Sequence, residues 1–136
     1  MRPRKSGAVV LAAITLACSG DSNNGGTGPP QDVSNPGFVN VTLSTPKSND
    51  GALLLTLSGG AIDSLTASSG SIFFAATGTN TFRVMVAGTI TDGTVLRFWM
   101  PDRRNIASYT ATLEQAAARS TYEQQGLSGY SLSIVP

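Results

Sequence analysis

The 136-residue chain carries nine Lys and Arg against eight Asp and Glu, one cysteine and no histidine. The missing histidine removes the usual general base and the commonest zinc ligand, and a single cysteine rules out an internal disulfide. With a formal net charge of +1 there is no basic excess to advertise a nucleic-acid partner.

The chain opens on a cationic stretch, Arg2, Arg4 and Lys5, followed by the apolar run Gly7 to Leu16 and the small Ala17 before Cys18. That order is the pattern of a secretory signal over residues 1–17. Its apolar run is ten residues, against roughly 20 for a helix that crosses the hydrocarbon core, so the segment is expected to be removed rather than to span. Thr15-Leu16-Ala17-Cys18 resembles the lipobox of bacterial lipoproteins, with Thr15 standing where leucine is usual. The resemblance implies cleavage before Cys18 and covalent lipid on its sulfur and new amino terminus; no cofactor is expected besides that lipid, because the sequence carries no cofactor motif. Several acyl chains on one residue hold a membrane stably, where a single chain does so only marginally. Ser19, in place of Asp, resembles the signal that sends such proteins to the outer membrane of two-membraned bacteria.

Residues 18–36 follow as a flexible lipid-anchored tether. Val33 is the one aliphatic residue among small, polar and turn-forming types, too little apolar surface to offset chain entropy. Removing the signal takes Arg2, Arg4 and Lys5 with it, leaving six basic residues against eight acidic ones, a net charge of −2. The remaining stretch, 37–136, is long enough for one domain with a core.

Within that domain, short segments of period-two alternation recur between clusters of Gly, Asn, Asp, Ser and Pro, which is the all-β signature. Strands are expected at Phe38 to Ser44, Ala52 to Leu57, Ile62 to Ala67, Ser71 to Ala76, Thr81 to Ile90, Thr94 to Met100, Ser108 to Ala117 and Tyr130 to Val135. Seven to eight such strands predict a single antiparallel β-sandwich. Between Thr81 and Met100, Asp92-Gly93 signals a hairpin. A three-residue loop, Thr91 to Gly93, pairs Val86 with Phe98 and Val84 with Met100, so that the apolar faces coincide. Arg83, Met85, Arg97 and Trp99 then share the opposite, partly exposed face. Near 120–125, Ser120-Thr-Tyr-Glu123 fits a capping box and Gly126 a stop, predicting one short helical turn. The strand-dense tail from Gly88 through Ser108 to Val135 resembles the second half of cohesin-type β-sandwiches in strand spacing and a glycine-led hairpin. That resemblance implies a sandwich and a binding role, and it carries no partner residues.

Catalytic chemistry is sparse. No Gly-x-Ser-x-Gly elbow, Walker-type phosphate loop or Gly-x-Gly-x-x-Gly turn occurs. The carboxylates able to form an acid and base pair are Asp50, Asp63, Asp92, Asp102, Glu114 and Glu123. Asp50 and Asp92 sit in turn motifs where a short acid bonds local backbone, and Asp102 has Arg103 and Arg104 beside it for a surface contact. A calcium site at Asn49 and Asp50 would gather too few acids. Arg103-Arg104, the one basic doublet of the domain, reads as a solvated loop pair. Trp99 is the side chain best suited to a ligand, since an aromatic plane on a sheet stacks on a sugar ring or anchors a protein. The expectation is therefore a non-catalytic module, lipid-anchored in a bacterial envelope, binding protein or glycan through Trp99, Arg97, Arg83 and Met85. The alternatives are an assembly subunit of an envelope complex and a carboxylate-based glycan hydrolase.

Overall fold

The computed structural model describes residues 34–136, so the expected signal segment, Cys18 and most of the expected tether lie outside the described residues. Nine strands form: β1 (Gly37–Ser44), β2 (Asp50–Ser58), β3 (Asp63–Ala67), β4 (Ser71–Gly78), β5 (Thr81–Ile90), β6 (Gly93–Met100), β7 (Thr110–Ala118), β8 (Gln124–Gln125) and β9 (Ser131–Val135). They make two antiparallel sheets, a four-stranded one in the order β3-β6-β1-β9 and a five-stranded one in the order β4-β5-β2-β7-β8. The fold is an all-β sandwich, and each of the eight strands expected from the alternation is present.

The core is the layer between the sheets. Val39, Val41 and Leu43 of β1 and Leu96, Phe98 and Met100 of β6 meet Leu53, Leu55 and Leu57 of β2 and Val84 and Val86 of β5, all essentially without solvent exposure. Each such side chain contributes roughly 1.5–3 kcal/mol on burial. Tyr109 closes one end of this layer. Its ring lies 5.6 Å from that of Phe98, and its hydroxyl donates to the Ala61 carbonyl at 2.7 Å, so its polar tip is satisfied where burial pushes its pKa up.

The hairpin expected across Thr91-Asp92-Gly93 does not form. Both edges of β5 are occupied, by β2 and β4, and both edges of β6 by β1 and β3. The two strands therefore belong to different sheets, and their apolar faces meet across the core instead of side by side. Asp92 pins this corner by accepting the Thr45 N–H at 2.6 Å. Val95, placed by strict alternation on the outer face, is buried as well. In the β1–β6 ladder Val41 opposes Leu96 and Thr42 opposes Thr94, so Val95 is the extra residue of a β-bulge that breaks the alternation.

The short helical turn predicted near 120–125 is replaced by a tight turn over 119–121, closed by the Tyr122 N–H to the Ala118 carbonyl at 3.0 Å and leading into β8. Tyr122 takes a positive φ of 58°, which turns the chain back along β7 in place of continuing a helix. The helix of the domain is a 3-10 segment, Arg103–Ser108, capped by Asp102 and linking β6 to β7.

The position of β4 depends on Gly70, which has φ +75° and whose added Cβ would lie 2.0 Å from the Ala87 carbonyl oxygen of β5. Gly126 has open space around its Cα. Gly70→Ala should thus cost about 2 kcal/mol or more, from backbone strain plus displacement of the ladder. Gly126→Ala should stay within about 0.5 kcal/mol of wild type, and urea denaturation midpoints compare the two.

Candidate functional site

The outer face of the four-stranded sheet presents a small lattice of side chains. In one row Asp63 of β3, Trp99 of β6 and Phe38 of β1 are successive cross-strand neighbours. In the next row stand Thr66, Arg97, Asn40 and, on β9, Val135. Trp99 is 36% exposed and Phe38 39%. Their rings pack edge to face at 5.2 Å, and the Arg97 guanidinium lies 4.9 Å from the Phe38 ring centre. These contacts hold the aromatic planes and the cation in fixed relation. Among the described residues Arg97 has no carboxylate partner. Asp63 reaches this row because β3 bulges: Ser64, at φ 52°, is inserted between the Asp63–Trp99 and Thr66–Arg97 pairs, and its N–H donates to Asp63 Oδ1 at 2.7 Å. In unbroken register Ser64 would stand beside Trp99.

All four residues of the expected binding face are exposed, but they do not form one face. Arg97 and Trp99 belong to β6, whereas Arg83 and Met85 belong to β5, on the outer surface of the other sheet. The cause is the corner at Thr91–Gly93, which sends β5 and β6 to different sheets. On that far surface Met85 lines a shallow groove of about 220 Å³ with Leu54, Gln115, Ala117, Tyr122 and Gln124. Arg83 is bound to Glu114 at 2.6 Å, and Glu114 also accepts from the Thr56 hydroxyl. The Thr56 hydrogen bond first, and Arg83 second, hold the Glu114 carboxyl below its usual range. Glu114 is the extra residue of a bulge, since Leu54 opposes Gln115 and Leu55 opposes Leu113.

Of the remaining carboxylates, Asp50 and Asp92 both accept from Thr45, through its hydroxyl and its N–H, and among the described residues no three His, Cys, Asp or Glu gather as a metal site would need. Asp102 caps the 3-10 segment and chelates Arg104, whose side-chain hydrogen bonds hold its pKa far below the ordinary value. Arg103 donates from Nη2 to Asn35 Oδ1 at 2.8 Å and lies against Gly37 with its Nε buried and without a hydrogen-bond partner, so of the doublet expected to be solvated only Arg104 is exposed.

Asp50 departs most from its expected role, for it is completely buried. Its Oδ2 accepts the Thr45 hydroxyl at 2.5 Å and its Oδ1 accepts the Tyr130 hydroxyl at 2.6 Å, with the Gln125 side-chain amide 2.7 Å from the same tyrosine oxygen. A buried carboxylate with these donors is satisfied. The cluster ties the β1–β2 connection to β2, to β8 and to the start of β9. It is a structural knot: nothing in it opens toward a substrate.

Phe38 and Asn40 are not among the residues expected from the sequence, and Asp63 is expected there only as a candidate acid or base, not beside Trp99. Phe38 had a readable signal, since it shares parity with Asn40, Thr42 and Ser44 and is the one aromatic on an otherwise polar outer row. Asp63 had none, because its place beside Trp99 depends on a bulge. Comparisons with protein-family models, with curated proteins and with solved structures gave no match.

Burial, and then the bond to Asp50, push the Tyr130 hydroxyl up to about 12 from 10.0. A raised pKa means that the neutral form carries the stabilisation, present in full below pH 10 and lost as pH rises through about 12. The melting temperature should fall across that window. In Tyr130→Phe it should be lower below pH 10, by the loss of a hydrogen bond to a charged group worth roughly 1.5–3 kcal/mol, and its alkaline decline should be shallower, so that the two proteins converge toward pH 12. Thermal melts from pH 8 to 12 read both effects.

Proposed function

We propose that this chain is a non-catalytic binding module that uses the outer face of the β3-β6-β1-β9 sheet. The observation that carries the reading is the Trp99–Phe38 pair, exposed on an open sheet face, with Arg97 against it and Asp63 and Asn40 alongside. An aromatic plane beside charges that lack ion-pair partners among the described residues, with the Asn40 amide held by its bond to the Pro136 carbonyl, supplies stacking and directional hydrogen bonds together, which is what recognition of a sugar ring or an exposed protein side chain requires. None of these groups belongs to the buried layer between the sheets. Met85 and Arg83 fall outside the proposed face, on the other sheet.

The same proposal places the module in a bacterial envelope, tethered through lipid on Cys18, with a polar spacer carrying the sandwich away from the membrane surface. This part rests on the resemblance of Thr15 to Cys18 to a lipobox and on the composition of residues 18–36.

Trp99→Ala should abolish retention on immobilised envelope glycans or envelope proteins while the melting temperature stays within a few degrees of wild type. Met85→Ala, on the opposite surface, should retain binding in full. Undiminished retention by Trp99→Ala, or equal loss in both variants, would contradict the assignment of the face.

A further inference from the structure

Strand β4 is the edge of the five-stranded sheet, paired on one side only, with β5. An edge strand presents a row of backbone N–H and C=O groups ready for another strand, and proteins usually guard such edges with charge, proline, bulges or brevity. The other edges are guarded. The β3 edge carries Asp63 and a bulge, β8 has two residues, β7 beyond the two positions that β8 covers carries the Glu114 bulge, and β9 is short and alternates Ser-Leu-Ser-Ile. By contrast, β4 is eight residues long, its one register shift lies at its end between Ala76 and Gly78, clear of Ile72 to Phe74, and no Lys, Arg, Asp, Glu or Pro occurs between Asp63 and Arg83.

The strand is also apolar on both of its faces. Phe73 stands beside Met85 on the outer surface and is 58% exposed. Phe74 stands beside Val84 on the core side, yet is 53% exposed, so the core layer is open at this edge. Ile72, beside Val86 on the core side, is half-buried. A strand that covers both phenyl rings must itself be apolar on both faces, since an ordinary alternating strand would set polar side chains against one of them. Among the edge strands of the described residues, β4 alone meets that requirement.

We propose that β4 pairs antiparallel with β4 of a second copy, joining the two five-stranded sheets into one. Pairing of a strand with its own copy is two-fold symmetric, so it consumes both edges and stops at a dimer. Faces stay matched when Phe73 opposes Phe73 of the other copy, which sets Ile72 of each chain against Phe74 of the other and closes the core layer at its open end. With no charge on either strand nothing repels. The interface lies on the other sheet from the Trp99 face and does not depend on that face binding a ligand.

The test uses the full-length chain carrying Cys18→Ser, so that no native thiol remains. Light scattering after size exclusion should give a dimer, and Phe73→Lys should weaken association at least tenfold at an unchanged melting temperature. Independently of how that variant folds, Phe73→Cys should give a disulfide-linked dimer on mild oxidation, whereas Ser133→Cys on the β9 edge should not. A monomer at every concentration, with no Phe73→Cys cross-link, would overturn the proposal and leave the edge to a strand of a different protein. Open-ended assembly, or cross-linking through Ser133→Cys in place of Phe73→Cys, would also overturn it.

Discussion

Val84 and Val86 on one sheet press against a layer formed by Leu96, Phe98 and Met100 on the other, and this contact across the sandwich governs what every outward side chain can do. A strand alternating apolar and polar buries one set of side chains and displays the other. Because β5 and β6 bury their apolar sets against each other from opposite sides, their polar sets point in opposite directions. The protein therefore has two separate outer surfaces. One carries Trp99, Phe38 and Arg97; the other carries Met85 and the Arg83–Glu114 pair.

The same constraint marks what could be read from the sequence. Alternation located all eight of the longer strands and set Val84, Val86, Phe98 and Met100 on the face to be buried, where the core holds them. Alternation says which face a residue takes, and it is silent on whether the complementary face lies beside it or across from it. Asp92-Gly93 fits a hairpin turn and a corner between sheets equally well, so the pairing of β5 with β6 was the reading that failed. Bulges were invisible for a related reason. Val95, Ser64 and Glu114 are extra residues only relative to a partner strand far away in sequence. The burial of Asp50 likewise depends on Tyr130, 80 residues on, while its local sequence Ser48-Asn49-Asp50-Gly51 reads as an ordinary turn.

Polar groups follow a consistent division of labour. Asp50, Asp92 and Asp102 each accept hydrogen bonds from the connections between strands and so hold corners in place. Glu114 neutralises Arg83 on one outer surface. On the other surface Arg97 and Asp63 are left without an ion-pair partner among the described residues, beside two exposed aromatic rings. Arg97 packs on the Phe38 ring and Asp63 bonds the backbone of its own bulge, yet neither charge is neutralised among the described residues, and the proposed recognition at the Trp99 face rests on this contrast between the two surfaces.

The separation of β5 from β6 is the premise beneath both surfaces, and a distance between Met85 and Trp99 tests it directly. In a hairpin these two residues would be cross-strand neighbours about 5 Å apart; in the sandwich they project from opposite sides of sheets packed ~10 Å apart. Spin labels on Met85→Cys and Trp99→Cys, in a Cys18→Ser background, should give a dipolar distance of roughly 20 Å or more, with no disulfide on oxidation. A distance near 10 Å or below, or ready formation of that disulfide, would contradict the sandwich corner and return the four residues to one face.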